Sequence, residues 1–233
     1  MNELFWVILL LVNFSAILLA YRLFGKTGLF IWIPIATIVA NVQVLKMVDI
    51  FTVTATLGNI VYASSFLVTD ILSENYGKKA AVKAVKIGFF SLISMTALMY
   101  ISLKFIPSPH DFAHESLTRI FGIMPRIALA SLTAYLLSQT HDIWMYNVIR
   151  NKFPAERFIW LRNNGSTMIS QLIDTTVFTF IAFIGLVMRK ELSWDVFWQI
   201  FWTTYPLKWV VAAADTPFIY IASYWHRKEL VAD

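Results

Sequence analysis

Cysteine is absent from the 233 residues, which excludes disulfides and thiolate metal sites. Charge is scarce too: Asp, Glu, Lys and Arg together make 14% of the chain against 58% hydrophobic residues, and the mean hydropathy is +0.66. That balance excludes a water-facing globule of this size and leaves no soluble domain over. Several enzyme signatures are missing: H-E-x-x-H, G-x-S-x-G, and an intramembrane Y-D with G-x-G-D. His110, His114, His141 and His226 are scattered without a metal-binding spacing. AYRLFGKT, Ala20 to Thr27, nearly matches a phosphate loop, but Tyr21, Arg22, Leu23 and Phe24 close a membrane helix where a strand and small residues are required. The start, MNELFWVILL, has neither a basic n-region nor a following A-x-A site, and it reads as a retained helix.

What is present is apolar sequence in runs of about 20 residues, the length that crosses a bilayer core of roughly 30 Å. Seven spans follow: Leu4 to Tyr21, Phe30 to Val48, Thr54 to Leu72, Val82 to Phe105, Ile120 to Ile149, Ser166 to Met188, and Val196 to Trp225. They make an all-α polytopic membrane bundle, a single transmembrane domain over 1–233, with short connections and hence antiparallel neighbours. The longest loops are Pro107 to Thr118 and Asn151 to Asn163, marked by proline and charge. If the spans alternate, Arg22, Lys26, Lys78, Lys79, Lys83, Lys86, Arg150, Lys152, Arg157, Arg162, Arg227 and Lys228 collect on one side. The other side holds Lys46, Lys104, Arg119, Arg189 and Lys190, with Arg126 ambiguous. The positive-inside rule then places the N-terminus outside and the C-terminus in the cytoplasm. Merging the second and third spans into one re-entrant unit gives six crossings and reverses the N-terminus. The net charge of +5 reads as topology rather than nucleic-acid binding.

Polar groups inside such spans point at the bundle interior and need partners there. Asn41 and Gln43 close the second span. Asn59, Ala63, Phe66, Asp70 and Glu74 share one face of the third, with Asp70 and Glu74 one turn apart. The sixth carries Gln171 and Asp174, the latter nine residues from its inner end. Lys208 and Asp215 lie two turns apart on the seventh, where Pro217 kinks the helix by freeing the carbonyl of Ala213. A structural reading stands beside the functional one: Lys208 and Asp215 neutralise one another or pair with Asp174, and Asn41 and Gln43 are interhelical glue. Glu74 to Lys79 end a helix at the interface, and Trp6, Trp194, Trp198 and Trp225 form an interfacial belt. Tyr62, Phe66 and Trp209 suit a flat, polar solute. A polytopic enzyme acting on lipid or peptide is the alternative to a solute pathway.

The segments ANVQVLKMVDIF, LGNIVYASSFLVTDILSENYGKKAA, RNNGSTMISQLIDTTVF and LKWVVAAADTPFIYI resemble the queuosine precursor transporter family, also called the vitamin uptake transporter family. The resemblance implies import of a 7-deazaguanine base (7-cyano-7-deazaguanine, 7-aminomethyl-7-deazaguanine or queuine) across a bacterial inner membrane, with no cofactor and no metal. It also implies a distant relation to the substrate-binding subunits of energy-coupling-factor transporters, whose six-helix core would begin here at Phe30, with one added N-terminal helix. A deazaguanine presents N1–H and a 2-amino group that a carboxylate accepts together, and an O6 that an amide or ammonium reaches. On that reading Asp174 is the first choice for the carboxylate and Asp215 the second. Lys208 or Gln171 meets O6, Asn41 and Gln43 take the remaining edge, and Tyr62 or Trp209 stacks. Asn59 and Asp70 join the site, and Asp70 and Glu74 gate the inner end or relay a proton. Transport of another vitamin-like heterocycle, a homo-oligomer and a separate energising module stay open.

Overall fold

The computed structural model describes residues 1–50, 53–190 and 192–232, without the side chains at positions 47, 53–55 and 186. In lipid every backbone polar group must be bonded within the protein, and the chain meets that demand with helices and a single hairpin. The order is α1 (Asn2–Gln43), β1 (Met47–Ile50), β2 (Val53–Thr56), α2 (Asn59–Tyr76), α3 (Lys78–Ser102), α4 (His114–Phe121), α5 (Met124–Lys152), a 3-10 turn (Glu156–Phe158), α6 (Ile159–Met188), α7 (Trp194–Ala214) and α8 (Thr216–Arg227). Among the described residues, α1, α3, α5 with α4, and α6 are long and apolar enough to cross a membrane.

α1 contains the first two expected spans. Gly25 divides them, with φ 55° and ψ −139°, a conformation that side-chain-bearing residues rarely adopt. The near-match to a phosphate loop is therefore a turn between two helical arms. The arms run antiparallel, because Asn2 Nδ2 donates to the Asp49 carbonyl (2.9 Å) just past the second arm. At the other end the hydroxyls of Tyr21 and Tyr76 meet at 3.3 Å, and the Lys26 ammonium lies 5.0 Å from the centre of the Tyr76 ring.

Similar contacts fix every later crossing. Gly77 (φ 81°) turns α2 directly into α3. Arg150 near the end of α5 donates to the carbonyls of Ser73 (2.5 Å) and Glu74 (2.8 Å). Arg22 stacks over Trp225 of α8. The helices follow one another back and forth in this order, with α8 continuing after the break that ends α7. All twelve basic residues grouped from the sequence fall towards one end, with Lys83 and Lys86 within the first three turns of α3. We call it the basic end; the hairpin, α4 and Met1 lie at the other. Asp233 is outside the described residues.

Four expectations shift. Residues 47–50 and 53–56, read as helix at their outer edges, pair as antiparallel strands in which Met47 faces Thr56 and Ile50 faces Val53; their Val, Ile and Thr content favours extended backbone. The loop at Pro107 to Thr118 is partly helical, since α4 starts at His114, and α6 starts at Ile159 rather than Ser166. The kink at Pro217 is a full break: α7 ends before Asp215, and Pro217 sits in the first turn of α8, where its missing N–H costs nothing. Trp6 is buried rather than interfacial, whereas Trp194 and Trp198 are exposed.

α2 is the centre of the bundle. From Ile60 to Ser73 each residue is buried except Tyr62, which is partly so. It packs against α1, α3, α5, α6, α7 and α8. A helix surrounded on all sides by protein can carry serine, threonine and aspartate that lipid would not tolerate.

Candidate functional site

Asp174 is the focus of the polar interior. Its place on α6, 15 residues from the start of the helix, sets it about 22 Å from the basic end at 1.5 Å per residue, deeper than the sequence suggested. The Tyr62 hydroxyl of α2 donates to Oδ1 at 2.5 Å, and Ser138 of α5 donates to the same oxygen at 3.2 Å. The Lys208 ammonium of α7 meets Oδ2 at 2.5 Å. Lys208 also lies 5.1 Å from the centre of the Tyr62 ring, so one cation is shared between a carboxylate and an aromatic face. Asp174 is 2% exposed and Lys208 3%. A buried pair of this kind depends on its remaining partners, which here are the two hydroxyls on Asp174 Oδ1 and the Tyr62 ring beside the ammonium.

A cavity of about 40 Å³ borders this cluster, lined by Asn41, Asn59, Tyr62, Asp174, Phe178 and Lys208 among others. Asn41 donates through Nδ2 to the Thr37 carbonyl (2.8 Å), and its buried Oδ1 has no partner. Asn59 donates to Thr56 and fastens the hairpin to the start of α2. Ligand sites usually measure roughly 300–1,000 Å³, so the helices must part to admit a bicyclic base. The cavity opens towards the hairpin rather than the basic end, as its lining residues Ala40, Val44 and Gly58 indicate.

Five residues singled out from the sequence thus converge: Asn41, Asn59, Tyr62, Asp174 and Lys208. Five others do not line the cavity. Gln43 faces a separate recess with Asn2, Phe5 and Trp6 near the hairpin. Trp209 is 46% exposed and faces outward. Gln171 is fully buried one turn from Asp174, with both amide atoms unpartnered. Asp70 lies about 12 Å beyond Tyr62 along α2, towards the basic end. Asp215 accepts from Asn163 Nδ2 at 2.7 Å and does not pair with Lys208.

Glu74, the residue expected to gate or relay, is held in a network of bonds at the end of α2. Arg162 grips it from α6 with Nε at 2.9 Å and Nη2 at 2.6 Å, and the Tyr146 hydroxyl adds a third bond at 2.8 Å. Arg162 also donates through Nη1 to the carbonyls of Phe153, Pro154 and Ala155. This ties α2, α5 and α6 together at the basic end.

The sequence reading gives α5 as a span, Ile120 to Ile149, but names no site residue on its inner face. Its inner face carries Ser131, Tyr135, Ser138, Gln139, Asp142 and Tyr146, each buried. Gln139 bridges to α2, donating to Ser65 (3.2 Å) and accepting from Thr69 (3.1 Å). The signal was available: polar residues recur at spacings of three and four through SLTAYLLSQTHDIWMY. Among the described residues no His, Asp or Glu cluster is arranged to hold a metal.

The family described as "Putative vitamin uptake transporter" matches residues 56–222. A "Probable queuosine precursor transporter" of Bacillus subtilis strain 168 is 45% identical over 221 residues, 95% of this chain and 94% of that protein. The "Queuosine precursor transporter" of Escherichia coli K12 is 32% identical over 62% of each chain. A further "Probable queuosine precursor transporter", from Haemophilus influenzae, is 28% identical over 68% of this chain and 64% of its own. No solved structure matches. The match covers α2 through most of α8, the helices that supply Tyr62, Ser138, Asp174 and Lys208, and the chain belongs to the vitamin uptake transporter family.

Proposed function

We propose that this chain is a membrane transporter that imports a queuosine precursor, a 7-deazaguanine base, and carries it unchanged. The observation that carries the reading is the Asp174 cluster: a deep carboxylate flanked by a cation, a phenol and an unpartnered amide oxygen, beside an aromatic wall. Each matches an edge of the base. N1–H and the 2-amino group donate to Asp174, Lys208 donates to O6, Asn41 Oδ1 accepts from the ring N9–H or from an aminomethyl substituent, and Tyr62 or Phe178 stacks. The names of the three relatives support the substrate class. Gln43, Gln171, Trp209 and Asp215 stand outside this contact set.

Asp174→Asn tests the assignment. The change turns one acceptor oxygen into a donor that faces the donors of the base, at a cost of about 1–3 kcal/mol for a mispaired buried group. Uptake of labelled precursor is expected to fall by about tenfold or more, 1.4 kcal/mol being a factor of ten. Wild-type uptake at matched expression removes Asp174 from the site. In a strain that makes no precursor of its own, queuosine-modified tRNA should depend on this gene when base is supplied, and equal modification without it defeats the transporter reading.

The same reading places the protein in the inner membrane with the basic end in the cytoplasm, so the cavity faces the outside. A reporter active only in the cytoplasm should work after Asp233, and one active only outside should work before Met1. The reverse pattern inverts the direction in which the pocket opens.

A further inference from the structure

Between the Asp174 pocket and the basic end lies a second polar cluster, and its charges do not balance. Asp70 of α2 and Asp142 of α5 are both fully buried and meet the same hydroxyl, that of Thr167 on α6, while Asp215 is 1% exposed. Among the described residues no Lys or Arg bonds to any of the three. Arg162 is committed to Glu74 and Lys208 to Asp174.

Proton accounting narrows what the cluster holds. The Thr167 hydroxyl of α6 lies 3.4 Å from Asp70 Oδ2 and 3.2 Å from Asp142 Oδ1. It has one proton and serves one carboxylate; the other contact is a hydrogen bond only if that carboxyl is protonated and donates to the hydroxyl oxygen. Ser166 and Ser170 on the same face bond carbonyls of α6 (3.3 and 2.8 Å) and lie within reach of Asp142. His141 of α5 meets Ser170 at 2.9 Å, and Tyr146 donates to Glu74. Asp70 Oδ1 and Asp142 Oδ2 have no partner.

A second observation lies outside the acidic groups. Asn163, 1% exposed, points its amide into the cluster, since Nδ2 donates to Asp215, yet its Oδ1 is unpartnered. An acceptor left open next to the Asp215 carboxyl marks a place that can receive a donor. Two facing carboxylates in a dry interior cannot both stay charged, and the species that neutralises them at least cost is a proton shared between them.

We propose that Asp70 and Asp142, bridged by Thr167, form a proton-binding site that couples import to the proton gradient within this single chain. The proposal rests on the transport reading above. The pair takes up a proton from the pocket side, one carboxylate becoming a carboxyl, while the helices are closed around it. It releases that proton at the basic end once the helices part and water solvates both carboxylates. Substrate and proton thus cross in the same direction, and nothing is oxidised or hydrolysed.

The test uses the full chain in proteoliposomes, with 7-cyano-7-deazaguanine as probe. Asp70→Asn and Asp142→Asn mimic the protonated form and should fold, which infrared spectra check directly: a protonated-carboxyl band in the wild type should be lost in either variant. Acidifying the outside should drive accumulation in the wild type. In each variant that accumulation should drop about tenfold or more, a usual size for coupling between linked sites, while gradient-free exchange of base persists. Exchange without any response to a proton gradient, a response to sodium alone, accumulation that requires an added ATPase, or a carboxyl band unchanged in both variants overturns the proposal. Absence of base exchange in the wild type defeats the transport reading instead, and the infrared result still stands on its own.

Discussion

Lys208→Met is expected to destabilise the protein by about 3–5 kcal/mol, because it leaves the Asp174 carboxylate buried without its cation. Tyr62 and Ser138 still donate to Oδ1, but Oδ2 loses its partner. The measurement is the thermal unfolding midpoint of protein purified in detergent, alongside the yield of folded protein. Adding Asp174→Asn removes the stranded charge, so the double variant should regain much of the midpoint. Uptake should not return with it, since both polar contacts assigned to the base are gone. A double variant that transports as the wild type does would make the pair a structural brace alone. A Lys208→Met protein with an unchanged midpoint would show that Asp174 stays neutral without its partner.

The second large effect is expected at the basic end. Arg162 is fully buried and makes bonds to Glu74 and to three successive carbonyls in the turn after α5. Arg162→Lys keeps the charge but cannot present two parallel donors to Glu74 while also reaching the carbonyls. Arg162→Met loses everything and should cost about 3–5 kcal/mol. Glu74→Gln added to Arg162→Met should recover part of the loss, because Tyr146 can still bond the amide and the only cation left without its carboxylate, Arg150, is partly exposed and still donates to the Ser73 and Glu74 carbonyls. Size-exclusion profiles after graded heating read these differences, and an Arg162→Lys midpoint equal to wild type would show that the ammonium suffices.

Hydropathy carried most of the fold, and spacing carried part of the site. Lipid length located the long helices, because that signal depends on composition over 20 residues rather than on any one contact. The hairpin at 47–56 was missed because two flanking apolar helices masked a short β-branched run. Asp174 and Lys208 stood out as charges in apolar sequence. Their pairing did not, because it spans 34 positions, and a helix-face rule sees only neighbours within a turn or two. The same rule favoured Lys208 with Asp215, a pair that the break before α8 separates. Tyr62 was legible as an aromatic beside intramembrane polar groups, whereas Asp142 and Ser138 lie on a helix where polar residues are spread among many apolar ones.

The burial of α2 bears on how the chain enters the bilayer. α2 is absent from the helices apolar enough to cross on their own, and a mid-helix aspartate costs about 2.5–3.5 kcal/mol during insertion. The most enclosed element of the finished protein is therefore among the least able to partition by itself during synthesis. The two arms of α1, joined at Gly25, leave the translocon first as an apolar hairpin, and α2 follows into a membrane that already holds a protein surface for its serines and threonines. Its other walls, α5 to α8, arrive only after Asp70 has been made. Biogenesis thus passes through a stage in which the central helix is half-solvated, and the quality of α1 and α3 as hosts decides how many chains survive it.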